Sequence, residues 1–301
     1  GMSAATSVFQ ALAPGAAVVA PHVMYWALRR WLAQESGLAV DFVDASDLHA
    51  LRAAVRPGVT RLIWLETPAN PLWDVSDIAA AAGIAHGAGA RLAVDSTVAT
   101  PVLTRPLEWG ADLVMHSATK YLNGHSDVIA GALATARDDD FWARIGRLRA
   151  AQGKILGPFE AFLLIRGMRT LDLRVRAQSE TALWLAQRLN DRGDVAGVLY
   201  PGLSTHPGHA VAARQMQGGF GGMLSIRVAG GAARAISVAA RVKLWKRATS
   251  LGGVESLIEH RASVEGADSP CPDDLLRLSA GLESRDDLLV DLADALDQSN
   301  R

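Results

Sequence analysis

The sequence of 301 residues contains one cysteine and no long apolar run, and both absences narrow what the protein can be. A single cysteine, Cys271, excludes an intrachain disulfide and any metal cage built from several thiolates. No stretch approaches the ~18 apolar residues that a transmembrane helix requires. The apolar N-terminus also lacks the basic region of a signal peptide. These features predict a cytoplasmic protein that does not enter membranes.

An excess of charge of one sign is also missing. Lysine and arginine total 30 residues and aspartate and glutamate 31, giving a formal net charge of −1. Such a chain has no general attraction to nucleic acid or to anionic membranes, so we expect neither as a partner. His116 and His125 are nine positions apart, which is not the spacing of metal ligands on one element. We therefore expect no metal site.

The first half of the chain contains an alternation of strand-like and helix-like segments. The strand candidates are short apolar runs at residues 16–20, 38–43, 62–65, 92–94, 113–115 and 128–133. Helical patterns lie between several of them, as at residues 24–32 and 76–86, the second starting at Ser76. This alternation predicts a mostly parallel α/β sheet covered on both faces, with ligand sites at the carboxyl ends of its strands.

The second half predicts a smaller α+β unit. A long helical pattern at residues 158–189 comes first, and strand candidates follow at 223–228 and 275–280. The glycine-rich residues 218–222 lack the lysine of a phosphate loop and predict a turn before a strand. A final helix at 284–298 has Ser284 at its N-cap position. We predict a large domain at residues 1–190 and a C-terminal domain at 191–301.

Three polar clusters directly follow predicted strands: Glu66 to Asn70, Asp95 to Thr97, and His116 to Lys120. A lysine amine becomes a nucleophile when burial or nearby positive charge lowers its pKa. Asp95, at the end of the preceding strand, could then keep the ring nitrogen of a bound cofactor protonated. In the alternative interpretation Lys120 is a solvated lysine and Asp95 a helix cap. On these residues alone that alternative has the advantage, because short motifs often match by chance.

Longer segments change that balance. They are LETPANPLWDVSDI, AVDSTVATPVLTRPLEWGADLVMHSATKYLNGHSDVIAG, SLGGVESLIEH and LLRLSAGLE. In this order they closely resemble the Cys/Met metabolism family of pyridoxal phosphate (PLP) enzymes, from Gly1 to nearly the end of the chain. The family includes cystathionine γ-synthases, cystathionine β- and γ-lyases, methionine γ-lyases and homoserine-ester sulfhydrylases. The resemblance implies the aspartate aminotransferase-like fold, known as fold type I.

The resemblance also implies roles for individual residues. Lys120 resembles the lysine that forms a Schiff base with PLP and then moves protons on the substrate. Asp95 resembles the partner of the pyridine nitrogen, Asn70 the donor to the ring oxygen, and Tyr25 the tyrosine that stacks on the ring and can act in proton transfer. The implied phosphate ligands are Gly1, Met2, Ser117 and Thr119. Ser250 and Arg277 resemble the residues that bind the substrate carboxylate, for which an arginine fork is well suited.

Two departures from the family pattern affect these expectations. Trp26 follows Tyr25 where the family has small residues, so its indole is expected either to narrow the site or to pack in the core, and aromatic statistics favour the core. The family's N-terminal arm, which reaches a neighbouring subunit, is absent from the sequence, and we expect a segment to be missing before Gly1. The resemblance implies a homotetramer, a dimer of dimers with active sites at subunit interfaces.

The resemblance leaves the reaction open. The sequence around Leu251 favours a γ-synthase or γ-lyase, whereas the short stretch between His260 and Arg277 favours the β-lyases. We expect a transsulfuration enzyme, either a cystathionine γ-synthase or a cystathionine lyase. Methionine γ-lyase and O-acyl-homoserine sulfhydrylase are alternatives. A PLP-binding remnant without activity is the non-enzymatic alternative.

Overall fold

A computed structural model of the chain describes residues 1–266 and 270–299. Residues 267–269 and 300–301, which belong to the predicted C-terminal domain, lie outside the described residues. No helix in the described ranges is both long and apolar enough to cross a membrane.

Six strands of the first half form one sheet. They are β1 (Ala17–Pro21), β2 (Ala39–Val43), β3 (Thr60–Glu66), β4 (Arg91–Asp95), β5 (Leu113–His116) and β6 (Ala132–Thr135). Their order across the sheet is β2-β1-β3-β4-β5-β6, and every pairing is parallel except that of β5 with β6. The mostly parallel α/β sheet expected from the sequence is therefore confirmed.

Helices cover both faces of this sheet. They are α1 (Met2–Gln10), α2 (Trp26–Gln34), α3 (Leu48–Ala54), α4 (Ile78–Gly87), α5 (Thr100–Leu103) and α6 (Asp140–Ala151). Two more helices follow, α7 (Pro158–Met168) and α8 (Leu171–Asn190), and the C-terminal half of α8 packs against strands from later in the chain. Phe9 of α1 packs on Trp64 on one face, and Ile78 of α4 joins the cluster around Ile63 on the other. Burial on both faces explains why β1, β3, β4 and β5 read as continuous apolar runs, whereas the edge strands β2 and β6 are partly exposed.

Three boundaries differ from those predicted. Helix α4 is capped by Asp77, which accepts a hydrogen bond from the Ala80 amide, and not by Ser76. Strand β6 begins at Ala132 because the hydroxyl of Thr119 bonds both the amide and the carbonyl of Ala130 and replaces a strand partner there. The long helical pattern is divided into α7 and α8, since Thr170 and Arg174 both donate side-chain bonds to the Gly167 carbonyl.

A second sheet follows α8. Its strands are β7 (Val195–Leu199), β8 (Met223–Val228), β9 (Lys246–Arg247), β10 (Leu257–His260) and β11 (Leu275–Ser279). They lie in the order β7-β8-β11-β10-β9, antiparallel except for β9 with β10. The helices of this part are α9 (His209–Gln215), α10 (Gly231–Arg241), α11 (Arg261–Glu265) and α12 (Arg285–Gln298).

The predictions for this part are mostly confirmed. Strand β8 has the predicted bounds, and Ser284 caps α12 by accepting a bond from the Asp287 amide. Residues 218–222 precede β8 as an irregular segment with bends at its two ends and not as a regular turn. The domain boundary at residue 190 stays a prediction. The two sheets are joined beside the carboxyl ends of the first, where Ser225 of β8 accepts a bond from the Trp73 indole and donates one to the Pro71 carbonyl.

Candidate active site

The carboxyl ends of three neighbouring parallel strands meet at one cavity. Glu66 ends β3 and pairs with Asp95, which ends β4 and pairs in turn with Met115 of β5. The cavity encloses about 300 Å³. Its lining is formed by Gly1, Met2, Ala5, Tyr25, Leu28, Glu66, Asn70, Asp95, Thr97, Val98, Met115, Ser117, Thr119, Lys120, Ile129 and Leu251. It therefore brings together all eight residues predicted from the sequence to hold a cofactor.

Lys120 lies in the turn that follows β5. Its amide donates to the Ser117 carbonyl at 3.0 Å, and its Nζ donates to Ser250 Oγ at 3.0 Å. Burial, with a contribution from the positive charge of Arg277, lowers the pKa of Lys120 from 10.5 to about 8. A substantial fraction of the amine is consequently neutral near physiological pH, which is the form that attacks a carbonyl carbon. The solvated-lysine alternative is excluded.

The chain after Lys120 is held by a buried arginine of α8. Arg174 donates to the Tyr121 carbonyl at 2.9 Å and to the Gly167 carbonyl at 2.9 Å. Gly124, at φ +73°, lies so close that a Cβ there would be 2.0 Å from Arg174 Nη1. The guanidinium therefore fixes the segment that carries Lys120.

Asp95 presents a buried carboxylate to the cavity. Thr97 donates to its Oδ1 through both the hydroxyl, at 2.5 Å, and the amide, at 3.0 Å. Burial raises the pKa of Asp95. No arginine, lysine or histidine side chain within residues 1–266 and 270–299 forms an ion pair with it. A buried carboxylate without a basic side chain as its ion-pair partner suits a ligand that carries a positive charge.

Glu66 holds two cavity residues through their backbone. Its Oε2 accepts from the Tyr25 amide at 2.7 Å and its Oε1 from the Asn70 amide at 3.1 Å. Burial and the neighbouring charge of Asp95 both raise the pKa of Glu66. Its cavity position was not predicted from the sequence, although its place at a strand end beside Asp95 in the sheet was a usable signal.

Hydroxyls and a helix N-terminus line another part of the cavity. Ser117 and Thr119 both contribute to the lining, and the Ser117 amide donates to Thr97 Oγ1 at 2.8 Å. Helix α1 begins at Met2, where first-turn amides lack intrahelical acceptors. A Cβ on Gly1 would lie 2.7 Å from Ser117 Oγ and would fill the space above that hydroxyl. This arrangement suits a phosphate group. Thr97 had been assigned no role from the sequence.

The two residues predicted to bind substrate lie behind the cavity wall. Arg277, on β11, is buried, donates to Asn70 Oδ1 at 3.2 Å and to the Ser250 carbonyl at 2.9 Å, and forms an ion pair with Glu259. Neither Arg277 nor Ser250 is among the lining residues of the cavity. Each contacts one that is, Asn70 and Lys120 respectively.

Trp26 does not occupy either of the expected positions. Its indole is 38% exposed, so the expectation of core packing is wrong, and it is not among the lining residues of the cavity. Its ring centroid lies 6.3 Å from that of Tyr25, which is itself 39% exposed. Position 26 is the first residue of α2, and a side chain there points away from the buried stripe formed by Leu28 and Leu32.

The site chemistry fits PLP. A buried carboxylate matches its ring nitrogen, an amine of lowered pKa matches its aldehyde, and hydroxyls at a helix N-terminus match its phosphate. The family model for Cys/Met metabolism PLP-dependent enzymes matches residues 1–297.

Individual proteins of this family are similar to the chain in sequence and in structure. The chain is 45% identical over 310 aligned residues to cystathionine gamma-synthase of Mycobacterium tuberculosis, covering 98% of this chain and 78% of the relative. It is 40% identical to cystathionine gamma-lyase of Dictyostelium discoideum, covering 99% and 79%. The crystal structure of cystathionine gamma-synthase from Xanthomonas oryzae pv. oryzae in complex with cystathionine superposes with a TM-score of 0.93 at 41% identity, covering 100% of this chain and 80% of that one. The chain therefore belongs to the Cys/Met metabolism family of PLP-dependent enzymes, and its cofactor is pyridoxal 5′-phosphate.

Proposed function

We propose that the protein is a transsulfuration enzyme that makes or breaks a C–S bond of cystathionine, with cystathionine γ-synthase as the first candidate. The observation that carries the proposal is the position of Lys120, which lies in a cavity with Asp95 and donates a hydrogen bond to Ser250, in the loop between β9 and β10. The names of its relatives support the substrate class, and the γ-synthases share more sequence identity with it than the γ-lyase, 45% against 40%.

Each residue predicted from the sequence has a place in this proposal. Lys120 Nζ would hold the cofactor through its aldehyde carbon and Asp95 through its ring nitrogen. Asn70 would bind the ring oxygen, and Tyr25 would cover one face of the ring. The Met2 amide at the start of α1 and the Ser117 hydroxyl would hold the phosphate, and Gly1, whose nitrogen donates to the Ala130 carbonyl, would leave room for it beside Ser117 Oγ. Thr119 would join them by giving up the bond that its hydroxyl donates to Ala130.

The chain's own groups then act on the substrate. Bound PLP supplies an electron sink for the electron pair left at Cα. Lys120 Nζ would be released when the amine of the substrate replaces it on the cofactor's aldehyde carbon, and it would then remove the Cα proton. Its lowered pKa makes the neutral amine available for this step. Arg277, which contacts the cavity wall at Asn70, would orient the α-carboxylate from behind that wall, and Ser250 Oγ would hold the Nζ close to Cα. Tyr25, which also lines the cavity, would act in proton transfer with the substrate. Positioning of these groups supplies much of the acceleration.

Product identification tests the proposal. The purified holoenzyme is supplied separately with cystathionine and with an activated homoserine ester plus cysteine. Formation of cystathionine identifies a γ-synthase, 2-oxobutyrate from cystathionine a γ-lyase, and pyruvate a β-lyase. Lys120→Ala should abolish every product, whereas Lys243→Ala, an exposed lysine, should form them at the wild-type rate. Absence of all three products from a holoenzyme with intact cofactor absorption would contradict the proposal and favour the inactive remnant.

We also propose that the enzyme is a cytoplasmic homotetramer with active sites at subunit interfaces. Support comes from exposed apolar side chains around and beyond the cavity. Ile129 lines the cavity and is 85% exposed, and on α7 the side chains of Phe159, Phe162 and Ile165 are at least 60% exposed. Apolar surface of this kind marks protein interfaces. A single cysteine is consistent with a reducing compartment.

A further inference from the structure

Four buried charged side chains lie together behind the cavity. They are Glu259 on β10, Arg261 and Glu265 on α11, and Arg277 on β11. Each of the four side chains is at most 6% exposed. Removing charges from water is costly, so a buried group of this kind requires an explanation.

The four charges alternate in sign along a chain of contacts. Glu259 Oε2 contacts Arg277 Nη2, and both oxygens of Glu259 lie 3.3 Å from Arg261 Nη1. Arg261 Nε donates to Glu265 Oε1 at 2.6 Å. Glu259 therefore stands between two guanidinium groups and is shared by them.

Sharing of Glu259 changes what Arg277 can offer a ligand. A carboxylate devoted to Arg277 alone would neutralise it and would repel the carboxylate of an approaching amino acid. The positive charge of Arg261 compensates part of the negative charge of Glu259. Arg277 then keeps more of its positive charge for a ligand, and Asn70 holds its Nη1 on the cavity side.

The contacts of Arg261 are not those of a purely stabilising residue. Within the part of the chain that the structure describes, its Nη2 is buried without a hydrogen-bond partner. A buried donor left unpaired lowers stability, and an apolar side chain would avoid that loss. The charge of Arg261 also reaches the site, because it adds to burial and to Arg277 in lowering the pKa of Lys120.

We infer that Arg261 is a positioning residue for recognition of the substrate carboxylate, acting on Arg277 through the shared carboxylate of Glu259. The inference rests on the proposed role of Arg277 as the carboxylate ligand. It concerns binding of any α-amino acid, so it can be tested without knowing which reaction the enzyme carries out.

The test compares two amines that differ by one carboxylate, L-alanine and ethylamine. The dissociation constant of each is measured from the change in cofactor absorption of the holoenzyme. The ratio of the two constants reports how strongly the carboxylate is recognised. Arg261→Met should reduce the preference for L-alanine roughly tenfold, as expected for loss of a charge acting on a charged hydrogen bond. Affinity for ethylamine should change little.

Four further variants complete the design. Arg261→Lys keeps the charge and should retain a higher ratio than Arg261→Gln, which lacks it; this pair decides the question even if Arg261→Met folds poorly. Arg277→Lys should reduce the ratio at least as far as Arg261→Met. Arg241→Met, which alters an exposed arginine of α10, is the matched control and should keep the wild-type ratio.

The possible outcomes separate the inference from the proposed function. Equal ratios for Arg261→Lys and Arg261→Gln, or a wild-type ratio in Arg261→Met, would overturn the inference. Neither result would count against the proposed function, which depends on product formation by the wild-type enzyme. A normal pattern of ratios in an enzyme that forms none of the three products would overturn the proposed function alone.

Discussion

Lys120 Nζ donates a hydrogen bond to Ser250 Oγ at 3.0 Å, although the two residues are 130 positions apart. Lys120 follows β5 of the first sheet, and Ser250 precedes β10 of the second. The Lys120 amine is therefore held from both halves of the molecule. A shift between the two sheets would release it.

Ser250→Ala should lower kcat about tenfold while leaving the cofactor bound, because the amine loses the acceptor that holds it in place. Steady-state kinetics and cofactor absorption, measured on the same samples, give both quantities. Ser250→Thr keeps the hydroxyl and should recover most of the rate. Equal rates for the alanine and threonine variants would show that the bond has no part in turnover.

The lowered pKa of Lys120 predicts the pH dependence of stability in the cofactor-free protein. Between pH 8 and 10.5 the unfolded chain holds a proton on this amine that the folded chain has lost. The free energy of unfolding should therefore gain a contribution that grows with pH across this window, by about 3 kcal/mol at most.

Urea denaturation at several pH values measures this effect. Lys120→Met serves as the reference, since the difference between the two proteins isolates the lysine from other titrating groups. The wild-type protein should be the less stable of the two at pH 7 and should approach the variant at pH 10.5. Parallel curves for the two proteins would mean that burial does not lower this pKa.

Glu66→Gln should weaken cofactor binding by roughly tenfold, because a glutamine can offer only one acceptor oxygen to the amides of Tyr25 and Asn70. Its NH₂ group would face the backbone N–H of either Tyr25 or Asn70, and two donors cannot form a hydrogen bond with each other. Titration of the cofactor-free protein with PLP, followed by absorption, gives the dissociation constant. Glu255→Gln, in an exposed ion pair with Lys246, is the control and should bind normally. An unchanged constant in Glu66→Gln would contradict the role of Glu66.

Gly124→Ala should destabilise the protein by about 3 kcal/mol, from the collision of its Cβ with Arg174 and from strain at φ +73°. Gly153→Ala is the matched control. It has φ +64° but no atom within 4 Å of the new methyl group, so only the backbone cost of about 1 kcal/mol applies. Chemical denaturation measures both variants. A similar loss for both would show that Arg174 moves aside freely.

Phe162→Asp should reduce the molecular mass in solution, since it places a charge in the exposed apolar face of α7. Light scattering coupled to gel filtration measures the mass. Val290→Asp changes another exposed apolar residue, on α12 and away from the cavity, and should leave the mass unchanged. A wild-type mass for Phe162→Asp would place the subunit interface elsewhere.

Local sequence patterns were sufficient to locate a strand or helix wherever the residues of that element alone determined its structure. Apolar runs located five strands of the first sheet. Four of them are buried on both faces and therefore have few polar positions, and the fifth, β2, is a partly exposed edge strand. The same reasoning placed Asp95 beside Lys120, since parallel strands end at one edge. It failed at residues 128–131, where Thr119 takes the hydrogen bonds that a neighbouring strand would otherwise make. A side chain from another part of the chain cannot be read from local periodicity.

The sequence by itself determined the family and the cofactor, because both follow from residue types in a characteristic order, and it predicts the lysine that would carry the cofactor. Tertiary structure decided the environment of that lysine. The lowered pKa of Lys120 comes from burial, and burial depends on the packing of the whole chain around it. The same is true of the charges behind Arg277: Glu259, Arg261 and Glu265 are ordinary polar residues in the sequence, and only the second sheet and α11 bring them together out of water.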